Sequence, residues 1–286
     1  MDSQSTDFGR EHQNISLGSE GGQSLTFAGV DGLAFAAERA KRPFVPKGMF
    51  VATDIGPFLE LFHLSQDGTV PPLPTAFWFS AGNCAELLAA LGADVPFWAC
   101  PRTESAGILK VSDGRTDEAT WLSFVSTAQK AAIKVGFSRA VALQLVAALE
   151  ELVDNVEVHS RRKDTGYAAF RAAGNRFDFV VSDRGIGALK SFRECKEFSA
   201  LLDHGDALQL ALTDGYSRYG SGTQHGNGFR PLFTGLSNLS GSLRFRTGDH
   251  ALTINGRNPR SIPWTKASKP KISGFFASIS CSTSPR

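Results

Sequence analysis

Cysteine is scarce in this chain, and the cysteines that are present follow no recognised pattern. Cys84, Cys100, Cys195 and Cys281 are scattered along the sequence without a Cys-x-x-Cys pair. The sequence therefore predicts neither a zinc site nor a disulfide framework. Because reduced, unpaired cysteines are typical of the cytoplasm, we expect the protein to be cytoplasmic.

Long apolar runs and a strong charge of one sign are lacking as well. No apolar run approaches the ~18 residues of a membrane-spanning helix, so we expect no membrane contact. The net charge of +2 is too small to indicate nucleic-acid binding. Residues 1–23 are polar, without the basic and apolar parts of a signal peptide, and they predict a disordered tail.

The remaining chain is long enough for two small domains, and its pattern changes at the polar segment 112–117. Residues 24–115 predict an α/β domain in which a strand, a helix and a strand follow one another. Their order is similar to part of a STAS domain. No motif gives this domain a role, and we expect its lone His63 to be a surface or core histidine. The three elements are predicted at residues 75–79, 85–91 and 95–99.

Residues 116–286 predict a second domain that begins with long helices and continues with strands. Helical spacing of apolar residues and Ser138 as an N-cap predict two helices, and a Gly-Asn pair between apolar runs predicts a hairpin. We expect a two-layer α/β sandwich. The helices are predicted at 120–135 and 139–159, the hairpin strands at 167–171 and 176–182, and later strands at 242–246, 251–254 and 274–280.

Three polar side chains share one face of the second helix. Glu151, Asn155 and His159 are spaced four residues apart, so they lie above one another. Mg²⁺ needs only one or two protein oxygens beside phosphate, and an Asn carbonyl can supply one. A Glu one turn earlier can accept a proton from a water or a hydroxyl. Simple solvent exposure of a polar helix face is the alternative.

Two glycine-containing motifs follow the helix. Asp183-Arg-Gly185-Ile-Gly187 comes directly after an apolar strand, where glycines allow close approach of a ligand to the backbone. An ordinary turn is the alternative. Further along, Gly226 and Gly228 precede a predicted helix, whose first N–H groups can bind phosphate. A flexible loop is the alternative there.

Together the three motifs resemble the nucleotide-binding core of the GHKL superfamily, which includes gyrase-type ATPases, Hsp90, histidine kinases, MutL and anti-sigma serine kinases. The resemblance covers about residues 117–286 and implies the Bergerat fold, a mixed sheet covered by helices. It also implies ATP and Mg²⁺ as cofactors, with residues 188–225 as the lid over the nucleotide.

The family's roles pass to matching positions of this chain. Glu151 is similar to the general base, Asn155 to the magnesium ligand, and His159 to a residue near the phosphates. Asp183 is similar to the acceptor of the adenine amino group, with Gly185 and Gly187 beside it. Gly226 and Gly228 match the second glycine box, although Asn227 and Phe229 depart from its usual aliphatic residues.

One further departure concerns the last strand. Phe275 follows Gly274, where the family often has Thr, so Thr253 on the preceding strand is the candidate for that hydroxyl contact. Neither helix before Glu151 carries a histidine, which argues against a complete histidine kinase. The chain also ends too soon for the transducer domain of gyrase, MutL or Hsp90.

The resemblance then implies a compact regulatory module. We expect a Mg-ATP-binding protein that hydrolyses ATP or phosphorylates a partner protein on Ser or Thr. The alternative is a non-catalytic interaction module whose lid is ordered by ATP. A protein partner or a homodimer is expected in both cases.

Overall fold

A six-stranded antiparallel sheet forms the centre of the protein. The computed structural model describes residues 22–93, 95–115, 117–211, 216–217, 220–221, 241–255 and 264–283. The strands of this part are β1 (Gln23–Ser24), β2 (Phe50–Val51), β3 (Phe79–Ser80), β4 (Phe97–Ala99), β5 (Ala106–Lys110), β6 (Tyr167–Ala173), β7 (Arg176–Asp183), β8 (Tyr216–Ser217), β9 (Gly220–Ser221), β10 (Ser242–Asn255) and β11 (Trp264–Ser282).

The strand order in the main sheet is β10-β11-β7-β6-β5-β4, and each neighbouring pair is antiparallel. The mixed sheet that we expected is therefore wrong for this sheet. Antiparallel neighbours can be joined by tight turns, and Gly174, with φ of 61°, makes such a turn between β6 and β7. Parallel pairing occurs instead in a small separate sheet, β1-β2-β3.

Helices cover both faces of the main sheet. The helices of the described residues are α1 (Phe27–Ala40), α2 (Ile55–Gln66), α3 (Ala85–Gly92), α4 (Val111–Gly114), α5 (Glu118–Lys134), α6 (Arg139–His159), α7 (Gly187–Arg193) and α8 (His204–Ala211). α5 and α6 pack on one face and α1 and α2 on the other. The predicted α/β class is thus confirmed, but the expected two-layer sandwich is corrected, because helices on both faces make the sheet the middle of three layers.

Side chains of β7 show how the sheet separates two cores. Phe179 and Val181 belong to the cluster under α5 and α6, whereas Val180 between them belongs to the cluster under α1 and α2. This alternation is the period of an extended strand that is buried on both faces. It decides which side chains at the end of β7 face α6 and which face α2.

The predicted boundary at residue 116 falls between elements of one sheet. β4 and β5 precede it, and β5 pairs with β6 through residues such as Ile108 and Ala169. The predicted strand-helix-strand unit is also corrected, because β3 and β4 belong to different sheets. None of the helices in the described ranges combines the length and the apolar character needed to cross a membrane.

Candidate functional site

Helix α6 holds the first predicted motif at its C-terminal end. Ser138 begins the helix, since its hydroxyl accepts a hydrogen bond from Val141 N at 3.3 Å. A buried stripe that includes Leu145, Leu149 and Leu152 fixes the helix on the sheet. Glu151, Asn155 and His159 are each half-buried along its side. These three side chains therefore line the border of the core, as the spacing predicts.

The amide of Asn155 has a defined orientation. Its Nδ2 donates to the backbone carbonyl of Glu151 at 2.8 Å. A carbonyl accepts but cannot donate, so the nitrogen must be the atom that faces Glu151. The amide oxygen is then the atom that remains to bind a cation.

Glu151 lies in an environment that favours its protonated form. Partial burial raises the pKa of this carboxyl, and the negative charges of Asp154 and Glu150 raise it further. A carboxylate with a raised pKa holds a transferred proton more readily than an exposed one. The environment thus fits the role of a proton acceptor.

Asp183, at the end of β7, is the most buried carboxyl of the predicted site. Its exposed fraction is 3%, and its Oδ1 accepts a hydrogen bond from Gly185 N at 2.7 Å. Burial raises the pKa of Asp183 to about 6, although the hydrogen bond from Gly185 and the nearby His63 lower it. An ordered acceptor that is short of donors is suited to a ligand amino group.

The Asp183 loop is closed against the end of α6. Ile186 N donates to the carbonyl of Ser160 at 2.9 Å, and Ser160 is the residue that directly follows α6. A Cβ at Gly185 would overlap the same carbonyl oxygen, so only glycine allows this approach. The structure therefore brings the first two predicted motifs together, although 24 residues separate Asp183 from His159 in the chain.

Two residues that the motifs did not identify complete the wall beside Asp183. Thr247 is fully buried; its hydroxyl accepts from Ala188 N at 3.0 Å and donates to the Gly274 carbonyl at 2.9 Å. Gly274 has φ of 61°, and a Cβ there would overlap the backbone carbonyl of Asp183. β10 and β11 thus enclose the aspartate from the side.

Thr247, and not Thr253, supplies the hydroxyl on the preceding strand. Thr253 lines a separate cavity of about 290 Å³, together with Asp178 and Arg244. The expectation for Thr253 is therefore corrected. The signal that could have identified Thr247 is Gly248 after it, because β10 changes register between these two residues, and bulges often redirect a side chain near a site.

The remaining predicted residues divide between described and undescribed parts. Gly187 begins α7 with φ of 73°, close to the Thr247 hydroxyl. Gly226 and Gly228 lie outside the described residues, as do residues 212–215, 218–219 and 222–225 of the expected lid, whereas residues 188–211 are described and include α8. The second glycine box stays a prediction.

No cluster of three or more His, Cys, Asp or Glu side chains in the described ranges could hold a metal ion. The oxygen of Asn155 could supply one ligand, which fits a magnesium ion held mainly by phosphate and water. The described residues therefore do not form a metal site from protein groups alone. Cation binding here would depend on a phosphate-bearing ligand.

The chain matches no known family model, no curated protein and no solved structure. Function therefore has to be inferred from the geometry that brings α6 and the Asp183 loop together.

Proposed function

We propose that the protein binds Mg-ATP in a GHKL-type pocket between α6 and the loop that follows Asp183. One observation carries this proposal: the hydrogen bond from Ile186 N to the Ser160 carbonyl joins the Asn155 helix to the aspartate-glycine loop. Two motifs that would each be weak alone thus form one wall. The antiparallel sheet departs from the mixed sheet of a Bergerat fold, so support comes from the site.

The direction in which ATP would lie in the proposed pocket follows from the order of the residues on α6. The loop that follows Asp183 lies against the C-terminal end of α6, next to His159. Glu151 lies two turns before His159, about 12 Å along the helix axis. The Asp183 carboxylate would accept the adenine amino group at the His159 end, so the proposal departs from the expected place of His159 near the phosphates. Asn155 and Glu151 would then face the phosphates, with the Asn155 oxygen as a ligand of Mg²⁺, which neutralises phosphate charge when bound.

The same arrangement supports phosphoryl transfer. Glu151 would accept the proton of an attacking hydroxyl, which belongs either to water or to a Ser or Thr of a partner protein. Its raised pKa is compatible with that role. The resulting activity would be that of an ATPase or a serine/threonine kinase with a regulatory task.

Calorimetric titration of the full chain with ATP, with and without Mg²⁺, tests the proposal. Asp183→Asn should weaken binding about 10- to 100-fold, the value of a lost hydrogen bond to a charged group. Because Oδ1 is held by Gly185 N, the new amide nitrogen would face the adenine amino group, so that a donor would meet a donor.

Asp178→Asn is the matched control. Asp178 is also buried, at 8% exposure, on the same strand, but its carboxylate binds Arg176 on the other face of the sheet. This variant should bind ATP as the parent does. Absence of ATP binding by the parent chain, or equal loss in both variants, would reject the proposed pocket.

A further inference from the structure

Helix α2, which comes from the first part of the chain, lies directly behind the proposed nucleotide site. His63, on its last turn, is 1% exposed. Its Nδ1 lies 2.7 Å from the Ser182 hydroxyl and its Nε2 lies 3.0 Å from the Ser273 carbonyl. Ser182 precedes Asp183 on β7 and Ser273 precedes Gly274 on β11. One imidazole therefore contacts both strands beside the site.

Asp67, just after α2, holds the same segment of β11. Its two carboxylate oxygens accept hydrogen bonds from the backbone N–H and the hydroxyl of Ser273, at 2.9 and 2.5 Å. Burial alone would raise the pKa of Asp67, but His63 and Ser273 outweigh it and hold the pKa at about 2. The carboxylate therefore stays charged and bonded across the physiological range.

The donor and acceptor pattern fixes the orientation of His63. A carbonyl oxygen can only accept, so Nε2 must carry the hydrogen that is donated to Ser273. The Asp67 carboxylate, 3.5 Å from the same nitrogen, favours that hydrogen. The imidazole thus donates to β11 through Nε2 and contacts β7 through Nδ1.

The order Asp67, His63, Ser182 is that of a hydrolytic triad, but the site cannot act as one. Ser182 is fully buried, and its single hydroxyl hydrogen is shared between His63 Nδ1 at 2.7 Å and the Phe275 carbonyl at 3.2 Å. A nucleophile must be reached by its substrate and be free to attack. The network therefore acts on structure and not on an acyl substrate.

A third contact of α2 reaches β10, the strand that carries Thr247. Glu60, fully buried, accepts hydrogen bonds from Arg244 and from Arg246, the latter at 2.6 Å. Arg246 precedes Thr247, whose hydroxyl holds Gly274. One helix thus fixes β7, β10 and β11 at the positions next to Asp183, Thr247 and Gly274.

We propose that His63 and Asp67 are positioning residues of the nucleotide site, through which helix α2 sets both affinity and adenine selectivity. The proposal rests on the proposed function. Loss of either contact would release Ser273 and Gly274 from α2, and the Asp183 carboxylate would lose its fixed place. The proposed phosphate-facing residues Asn155 and Glu151 lie one and two turns before His159 on α6, and their contacts would persist.

ATP and GTP titrations of the full chain with Mg²⁺ test this role in His63→Ala, His63→Gln and Asp67→Asn. His63→Ala should weaken ATP binding at least tenfold while GTP binding changes little, so the preference for ATP falls. His63→Gln should restore part of it, because an amide can still donate to Ser273. Asp67→Asn, which keeps the size of the side chain, should show the same loss in a smaller measure.

Phe58→Leu is the control for simple destabilisation. Phe58 is fully buried on α2 but stacks on Phe79 of the small sheet, with ring centroids 6.2 Å apart. It should lower the melting temperature and leave the ratio of ATP to GTP affinity unchanged. An unchanged ratio in folded His63→Ala and Asp67→Asn would overturn the positioning role. No ATP binding by the parent chain would instead reject the proposed function.

Discussion

At the scale of single residues, Asp183 is the group whose burial is hardest to explain by folding alone. A buried carboxyl with few donors destabilises the native state when it is charged, and here the pKa is raised to about 6. Strongly raised pKa values of this kind concentrate at functional sites. A ligand amino group would supply the missing donor.

This burial predicts an unusual dependence of stability on pH. The native pKa of Asp183 is about 6 against a model value of 3.8, so the native state binds more protons between these values. Its contribution to stability therefore falls as pH rises from about 4 to 6, by about 3 kcal/mol. Asp183→Asn should remove this fall, and urea unfolding at pH 4 and pH 7 would measure it.

The comparison at pH 4 serves as the internal control. There the parent aspartate is largely protonated, so parent and Asp183→Asn should have similar free energies of unfolding, whereas the variant should be more stable at pH 7. A constant difference between the two proteins at both pH values would show that Asp183 does not titrate near 6.

At the scale of elements, α6 was the best predicted part of the chain. Its first residue, its last residue and its N-cap Ser138 agree with the sequence prediction, because capping and apolar spacing are local properties. The β6–β7 hairpin is confirmed for the same reason. By contrast, residues 242–246 and 251–254 form one strand, β10, which pairs with β11 across an irregular register.

Substitutions of the neighbouring residues Glu150 and Glu151 on α6 can distinguish an effect on ATP turnover from an effect on ATP binding. Successive residues of a helix point about 100° apart, so Glu150 cannot take the place of Glu151 beside Asn155. If the protein turns over ATP, Glu151→Gln should reduce the turnover rate about 10²- to 10⁴-fold with little change in ATP affinity. Phosphate release and calorimetry measure the two quantities.

Glu150→Gln is the matched control and should retain turnover. Binding without any turnover in the parent chain would favour the alternative of an ATP-ordered interaction module. A Glu151→Gln variant that loses affinity and turnover together would contradict the role of general base.

At the scale of the whole molecule, a buried ionic cluster joins the first part of the chain to the sheet. Arg244 contacts Asp31 of α1 and Glu60 of α2, and Lys269 also contacts Asp31 at 2.7 Å. The sequence around Arg244 and Arg246 alternates apolar and basic residues, a pattern typical of a strand with one solvated face. Burial of these arginines depends on carboxylates 184 or more residues away, so local pattern could not predict it.

The residues of the candidate site likewise fall into two groups: some are predictable from local sequence, and others are placed by tertiary packing. Glu151, Asn155 and Asp183 were predictable because their motifs are short. Thr247 and His63 were not, because their positions follow from how β10 and α2 pack against β7 and β11. Tertiary contacts of this kind leave no periodic signal in the chain.

Removal of one carboxylate from the cluster should destabilise the entire protein. Burial would raise the pKa of Glu60, but Arg244 and Arg246 lower it below its usual value, so the carboxylate is charged at neutral pH. Glu60→Ala would leave Asp31 as the remaining carboxylate for two buried arginines, 2.6 Å from Arg244 but 4.0 Å from Arg246, at a cost of about 3–5 kcal/mol. Urea unfolding at pH 7 measures this loss.

Glu86→Ala, at an exposed position of α3, is the control and should change stability by less than about 0.5 kcal/mol. A small effect of Glu60→Ala would mean that the arginines find water or other acceptors, and that the two parts of the chain are held together mainly by apolar contacts.

The place of β11 between β7 and β10 has a consequence for protein synthesis. Ser182 and Phe275, which the finished sheet brings into contact, are 93 residues apart, so β7 leaves the ribosome long before its neighbour. During this interval β7 has an unpaired edge, which invites pairing with other chains. β11 lies between β7 and β10, so the proposed nucleotide pocket is complete only when translation has passed Gly274.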